Sequence, residues 1–374
     1  MAGDRRRVRV GLVGYGYAGR TFHAPLIAAT PGLQLAAVAS SDPPRVRADW
    51  PGMDVERDAA ALFARDDIPL VVIATPSDAH APLARAALEA GRHVVVDKPF
   101  TTSLADARVL ARLAARGKRL LSVFQNRRWD ADFLAVRDAI AAGAIGEPGH
   151  FESHFDRYRP QVRDRWREDA GPGGGIWMDL GPHLVDQALL LMGLPDRVSA
   201  HFSVQRTGGR GVDWAHVVLE CGSRRAILHA GMLVAGGSAR FTVHGTRGSL
   251  AKHGLDPQEA QLLAGLRPGD PGWGVDEAPL LAWTGDAAAP RPQPLPPGDQ
   301  GRYYAAIASA LTGDGTNPVP PAQAVAVMAV LEAAVRSAAQ GRAVAPALHA
   351  REHRLWHATA GATPASATMR APTV

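Results

Sequence analysis

A chain of 374 residues is long enough for two domains, each with its own core, and its 46% hydrophobic and 21% charged content is that of an ordinary globular protein. The formal charge of +5 comes from arginines scattered along the chain, which argues against a nucleic-acid groove and leaves only a mild bias towards anionic ligands such as nucleotide phosphates. The single cysteine, Cys221, excludes an internal disulfide framework and a cysteine zinc site and suits a reducing cytosol, so a cytoplasmic protein is expected.

Arg5-Arg6-Arg7 before apolar residues imitates a signal peptide, but glycines break the apolar run and no cleavage-type site follows. No window approaches the ~18 continuous apolar residues of a membrane helix, and no membrane partner is expected. The first element is a strand over Val8–Val13, in which Val8, Val10 and Leu12 alternate with Arg9 and Gly11. It runs into Gly14-Tyr15-Gly16-Tyr17-Ala18-Gly19, the G-x-G-x-x-G spacing. The first glycine allows a tight turn, the second lets backbone approach a pyrophosphate, and the third lets helix and strand pack closely. Among 39 glycines the hexamer alone is a weak signal; the strand before it and the helical signs after it make it a dinucleotide site. Gly14, Gly16, Tyr17, Ala18 and Gly19 are therefore candidate cofactor residues.

A second strand, Leu33–Ala39, ends at Ser40-Ser41-Asp42, about 20 residues past Gly19, where a carboxylate would grip the ribose of NAD. Ser40, Ser41 and Arg45 suit a 2′-phosphate instead, which favours NADP; Asp42 can still reach the ribose, and NAD stays possible. Leu70–Ala74 is a short buried strand ending in Thr75-Pro76-Ser77-Asp78, followed by a helix to Gly91. His93–Val96 ends at Asp97-Lys98-Pro99, a helix starts at about Ser103, and Leu120–Phe124 closes the series. Strands alternating with helices over residues 1–125 predict a doubly wound parallel sheet. Beyond it, a helix over Ala131–Ala142 precedes alternating runs at His150–Tyr158 and at about 197–206, 212–220, 225–232 and 239–244. These predict an open, mainly antiparallel sheet in a second domain, 126–345. Residues 256–300 read as an irregular excursion, Ala322–Gln340 as a final helix, and 346–374 as a polar tail.

Only three of the 41 basic residues are lysines, and one, Lys98, falls at the C-terminal end of a central strand, where open α/β sheets bind ligands. An ammonium with a movable proton can serve an alcohol or carbonyl oxygen; arginine cannot lose its proton. Pro99 restricts Lys98 to extended geometry, and the bond between them is open to the cis form. Asp179 and His183 are four apart and share a face if helical, an imidazole that can take an alcohol proton beside a carboxylate that would orient it. Pro182 either kinks that helix or opens it. His150, Glu152, His154 and Asp156 share one face of a strand, and with Arg157 beside them His154 and Asp156 are candidate ligands for polyol hydroxyls. His349, His353 and His357 imitate a metal stripe, but no carboxylate pattern accompanies them and no metal is expected.

The order G-x-G-x-x-G, Lys-Pro at a strand end, then G-G-x-x-x-D-x-G-x-H resembles the Gfo/Idh/MocA oxidoreductases. Longer strings at 14–27 (GYGYAGRTFHAPLI), 93–100 (HVVVDKPF), 122–133 (SVFQNRRWDADF), 152–168 and 171–188 (GPGGGIWMDLGPHLVDQA) resemble the branch containing scyllo-inositol dehydrogenases. The resemblance spans roughly Arg7–Gln340. It implies an N-terminal Rossmann domain and a C-terminal α/β domain whose open sheet pairs subunits into a homodimer or homotetramer. It further implies a catalytic set of Lys98, Asp179 and His183, with Thr75, Pro76 and His80 flanking the cofactor. Asp97 stands where the family has glutamate before Lys-Pro. The expected activity is hydride transfer between NADP and a secondary hydroxyl of a cyclic polyol or sugar, an inositol first. A nicotinamide-dependent glycosidase or a non-catalytic nucleotide sensor are the alternatives; a sensor would be expected to lack one of the three catalytic groups.

Overall fold

The computed structural model describes residues 7–171 and 173–360. Arg5 and Arg6 of the basic run, and the tail beyond Ala360, lie outside the described residues. The chain divides into two compact units: one comprises the chain up to Asp130 with Asp256–Val275 and Pro297–Ala324, the other Ala131–Leu255, Asp276–Pro296 and the chain from Val325.

In the first unit the strands are β1 (Val8–Val13), β2 (Leu33–Ala39), β3 (Asp54–Glu56), β4 (Leu70–Ile73), β5 (His93–Val96) and β6 (Leu121–Val123). They pair in parallel in the order β3-β2-β1-β4-β5-β6, the topology of a dinucleotide-binding sheet. β4 is buried along its whole length and β5 after its first residue, because helices cover both faces and every side chain meets apolar neighbours. Chain order reverses between β1 and β4, so the C-terminal ends of β1, β2, β4 and β5 frame the crevice where such sheets take ligands.

The second unit holds β7 (Pro148–Asp156), β8 (Arg197–Ser203), β9 (Trp214–Cys221), β10 (Arg224–Gly231), β11 (Ala239–Gly245), β12 (Gly248–His253), β13 (Leu280–Thr284) and β14 (Arg291–Gln293). Their order is β14-β13-β12-β11-β7-β10-β9-β8; only β7 and β10 run parallel. Phe151, Ser153 and Phe155 of β7 are buried and the residues between them half-buried, the alternation expected of a sheet packed on one face. The helix Gly175–Met192 packs on this sheet, and Trp177 Nε1 donates to Leu331 O of the helix Pro321–Gln340 at 3.3 Å. That second helix is long and apolar enough to cross a membrane, yet two-thirds of its apolar window is buried inside the protein.

Three expectations need correction. The stretches Asp256–Val275 and Pro297–Ala324, assigned by sequence to the second domain, fold with the first. Residues 256–300 are not irregular throughout: they contain the helix Gln258–Leu263 and strands β13 and β14. The region from 346 is not only a polar tail, because Ala350–Ala360 is a helix that buries Trp356.

Candidate functional site

The first and third glycines of the turn sit where no side chain fits. Gly14 has φ +93°, open to glycine and strained for other residues, and a Cβ there would lie 2.6 Å from the Ala74 carbonyl oxygen. A Cβ on Gly19 would collide with the Gly14 carbonyl, while one on Gly16 would meet nothing within 4 Å. Two glycines thus close the turn, and the middle one faces open space that a side chain would enter. The helical chain runs on from Tyr17 through Ala29, and its first-turn N–H groups lack carbonyl partners within the helix. These residues fit a pyrophosphate.

Next to the turn, Tyr15 is buried and donates through its hydroxyl to Asp49 Oδ2 at 2.9 Å; Trp50 Nε1 donates to that hydroxyl at 2.8 Å. Burial, then Asp49, pushes the Tyr15 phenol up to about 12. Arg20 clamps the same carboxylate at 2.6 and 2.9 Å and holds it below the usual carboxylate range. The turn is thereby tied to the helix Pro43–Asp49 that follows β2. At the start of that helix Asp42 is the N-cap: its Oδ1 accepts the Arg45 N–H at 3.2 Å, and its own N–H donates to Ser40 Oγ at 3.1 Å. Ser41 and the Arg45 side chain are exposed.

At the end of β5 the Lys98-Pro99 bond is cis and Lys98 is half-buried. Asp97 accepts the Lys98 N–H at 2.8 Å. Burial pushes the Asp97 carboxyl up, but His23, Lys98 and His80 prevail and hold it below its ordinary value. His23 is fully buried; its Nδ1 meets the Tyr304 hydroxyl at 2.6 Å and its Nε2 stands 3.7 Å from Asp97 Oδ1, beyond hydrogen-bond reach. His80, expected to flank the cofactor, is 1% exposed, with Nδ1 2.7 Å from Pro99 O and Nε2 3.0 Å from Thr75 O. The two ring nitrogens face main-chain carbonyls, of which the neutral ring can donate to one, so His80 joins the ends of β4 and β5 from inside. Burial lowers its proton affinity. Thr75 is half-buried and Pro76 exposed at the same strand end.

In the second unit Asp179 and His183 lie one turn apart on the helix Gly175–Met192, with Pro182 inside it; of the two arrangements open in the sequence, the continuous helix holds. Asp179 pairs with Arg167 Nε at 3.3 Å in a small pocket also lined by Arg165, Glu168 and Arg206. His183 is 5% exposed, its ring 6.3 Å from that of Phe155. Because Phe155 faces this helix, strand alternation turns His154 and Asp156 to the other face. There His154 meets Asp156 at 3.2 Å and Glu152 at 3.3 Å, and His229 Nε2 lies 3.5 Å from Asp156. The expected grouping of His154 and Asp156 with His183 is therefore corrected: β7 turns both away from the helix that carries His183. Arg157, just past β7, continues the pairing through its N–H to Gly231 O at 2.9 Å.

Comparison with known proteins decides the class. Residues 8–125 match the oxidoreductase family's NAD-binding Rossmann fold and residues 137–345 its C-terminal alpha/beta domain. The chain belongs to the Gfo/Idh/MocA oxidoreductase family. This Gfo/Idh/MocA chain is 53% identical over 333 residues to YdgJ of Escherichia coli (strain K12), an uncharacterized oxidoreductase, covering 88% of this chain and 96% of that one. It is 34% identical over 341 residues to IolW of Bacillus subtilis (strain 168), named scyllo-inositol 2-dehydrogenase (NADP(+)), covering 90% and 95%. A crystal structure from Klebsiella pneumoniae superposes with a TM-score of 0.89 at 50% identity, covering 94% and 99%. A nicotinamide dinucleotide is thus the cofactor class. Sequence reasoning missed Asp49 and Tyr304 as supports in the first unit, since each acts through a partner distant in the chain, and it missed Arg167 beside Asp179 in the second although Arg167 lies in a quoted string. His23 was within reach, as the fourth residue after Gly19 in a quoted string.

Proposed function

We propose that the chain moves a hydride between NADP and a secondary hydroxyl of a cyclic polyol or sugar, with scyllo-inositol or a related inositol as the substrate. The observation that carries the reading is the helical placement of Asp179 one turn before the nearly buried His183. His183 takes the hydroxyl proton, and Asp179 orients the imidazole and favours its charged form. Lys98 stabilises negative charge on the substrate oxygen as the carbonyl forms. The bound nicotinamide supplies the hydride acceptor or donor. NADP over NAD is supported by the cap at Asp42: its carboxylate is engaged with the Arg45 N–H, leaving Ser40, Ser41 and the Arg45 guanidinium for a 2′-phosphate. The name of the Bacillus relative supports both substrate and cofactor.

The test is a parallel screen of inositols and simple sugars with NAD and NADP, following absorbance of the reduced nicotinamide. On the best pair, His183→Ala should cut turnover at least about a hundredfold while NADP affinity stays near wild type. Lys98→Ala should behave alike with some added loss of cofactor binding. Unchanged turnover in the histidine variant discards the assignment.

A further inference from the structure

The segment Asp256–Val275 folds with the nucleotide-binding unit, and its helix Gln258–Leu263 is held by buried amides. Gln258 Nε2 donates to Trp129 O at 3.1 Å, and its Oε1 accepts the Gln300 N–H at 2.7 Å. Gln300 in turn donates to Asp130 Oδ1 at 2.7 Å and accepts from Asn126 Nδ2 at 2.9 Å. A helix of six residues has no stability of its own. The amide network fixes it, and with it the position of Glu259.

Glu259 Oε1 accepts the Tyr17 hydroxyl at 2.7 Å, and Oε2 accepts Arg127 Nη2 at 3.2 Å. Arg127 also donates to Asp130 at 2.9 Å, so the carboxylate is itself held by an anchored guanidinium. Tyr17 stands between the second and third glycines of the phosphate turn, 51% exposed, with its ring edge against Phe22 at 6.1 Å. An exposed aromatic side chain would ordinarily sample several rotamers; this one is restrained at its hydroxyl and at its edge.

We propose that Glu259 is a positioning residue for the nucleotide site, fixing the Tyr17 ring as a wall of that site, so that Asp256–Val275 serves dinucleotide binding. The inference rests on the reading that the Gly14–Gly19 turn holds the dinucleotide. A wall already ordered before binding spares the ligand the cost of immobilising that side chain, which is worth about three- to tenfold in affinity.

Fluorescence titration of the full chain with NADPH and NADH tests this in wild type, Glu259→Ala, Tyr17→Phe, the double variant and Glu259→Gln. Each of the first two single changes should weaken binding about three- to tenfold, and the double variant should be no worse than the weaker of them, because both remove one interaction. Glu259→Gln keeps an acceptor oxygen for Tyr17 and should stay within about twofold of wild type. Effects that multiply in the double variant, or a Glu259→Ala protein that binds like wild type, overturn the inference. Should Glu259→Ala not fold, Tyr17→Phe alone must still weaken binding, or the inference falls. A wild-type chain that binds neither reduced nucleotide fails at the nucleotide reading itself and takes the inference with it.

Discussion

Replacing Arg206 by leucine would break a buried charge network of the second unit. Arg206 Nη2 lies 2.5 Å from Glu168 Oε2 and Nε lies 2.9 Å from Asp213 Oδ2; the three side chains are 3%, 5% and 2% exposed. Its Nη1 also reaches the carbonyls of Arg159 and Gln161 at 3.3 and 3.4 Å, pinning the loop that carries Arg167 to Asp179. Removing one partner of a buried pair costs about 3–5 kcal/mol, because the charge left behind stays out of water. Here the survivors keep some partners. Glu168 retains Arg165 at 3.2 Å, and Asp213 retains the N–H groups of Gln205 and Arg206 at 2.7 and 3.1 Å. The lower end, about 3 kcal/mol, is therefore expected, a fall of roughly 6–12 °C in the melting of a domain this size. Urea and thermal unfolding followed by circular dichroism measure it. The double variant Arg206→Leu with Glu168→Gln buries one charge fewer and should recover at least about 1 kcal/mol. A loss below about 1 kcal/mol, or no recovery in the double variant, would refute the electrostatic account.

Two further outcomes are expected. Gly16→Ala should leave the melting temperature unchanged, since its Cβ meets nothing, yet weaken NADPH binding by entering that open space; Gly19→Ala should lose both stability and binding, about ten- to a hundredfold in affinity, because its Cβ strikes the Gly14 carbonyl. Differential scanning fluorimetry beside fluorescence titration separates the two, and equal behaviour of the variants counts against the turn as described. On the second sheet, burial lowers the His154 pKa but Asp156 and Glu152 outweigh it and raise it, whereas burial lowers those of His216 and His229. Stability from charged His154 is present below the ordinary histidine value and disappears as pH rises through its raised one; stability from neutral His216 and His229 is present above that value and fades as pH falls towards their lowered ones. Imidazole NMR should show His154 as the last of the three to lose its proton on raising pH, and the reverse order would overturn the assignment.

The first unit was legible because each buried parallel strand is a short unbroken apolar run between turn signals, as Leu70–Ile73 and His93–Val96 show. Helix ends were legible where a cap had a side-chain signature, as at Ser103, whose hydroxyl accepts the Asp106 N–H. β3 escaped notice: three residues at a sheet edge, Asp54–Glu56, carry too little pattern. The return of Asp256–Val275 to the first unit escaped because amides hold it, and Gln258, Gln300 and Asn126 obey no hydrophobic period. The helix Ala350–Ala360 did announce itself faintly: Glu352 reaches back to accept the His349 N–H at 2.8 Å, a capping-box contact readable from the spacing. Lys98, Asp179 and His183, proposed above to carry the chemistry, stood out by type and position. Which of their neighbours share a face with them depended on strand direction, and there the substrate grouping with His154 and Asp156 went astray.

β7 is the first strand of its sheet to leave the ribosome and ends up wedged between β10 and β11, neither of which exists until some 70 later residues are made. Until then its edges have no native hydrogen-bond partner, and the meander β8-β9-β10 must assemble alone before it can receive β7 in parallel. Such late, long-range pairing is slow, and an unpaired apolar edge is sticky while it waits. A nascent chain stalled between residues 156 and 224 would therefore be the form most dependent on a chaperone.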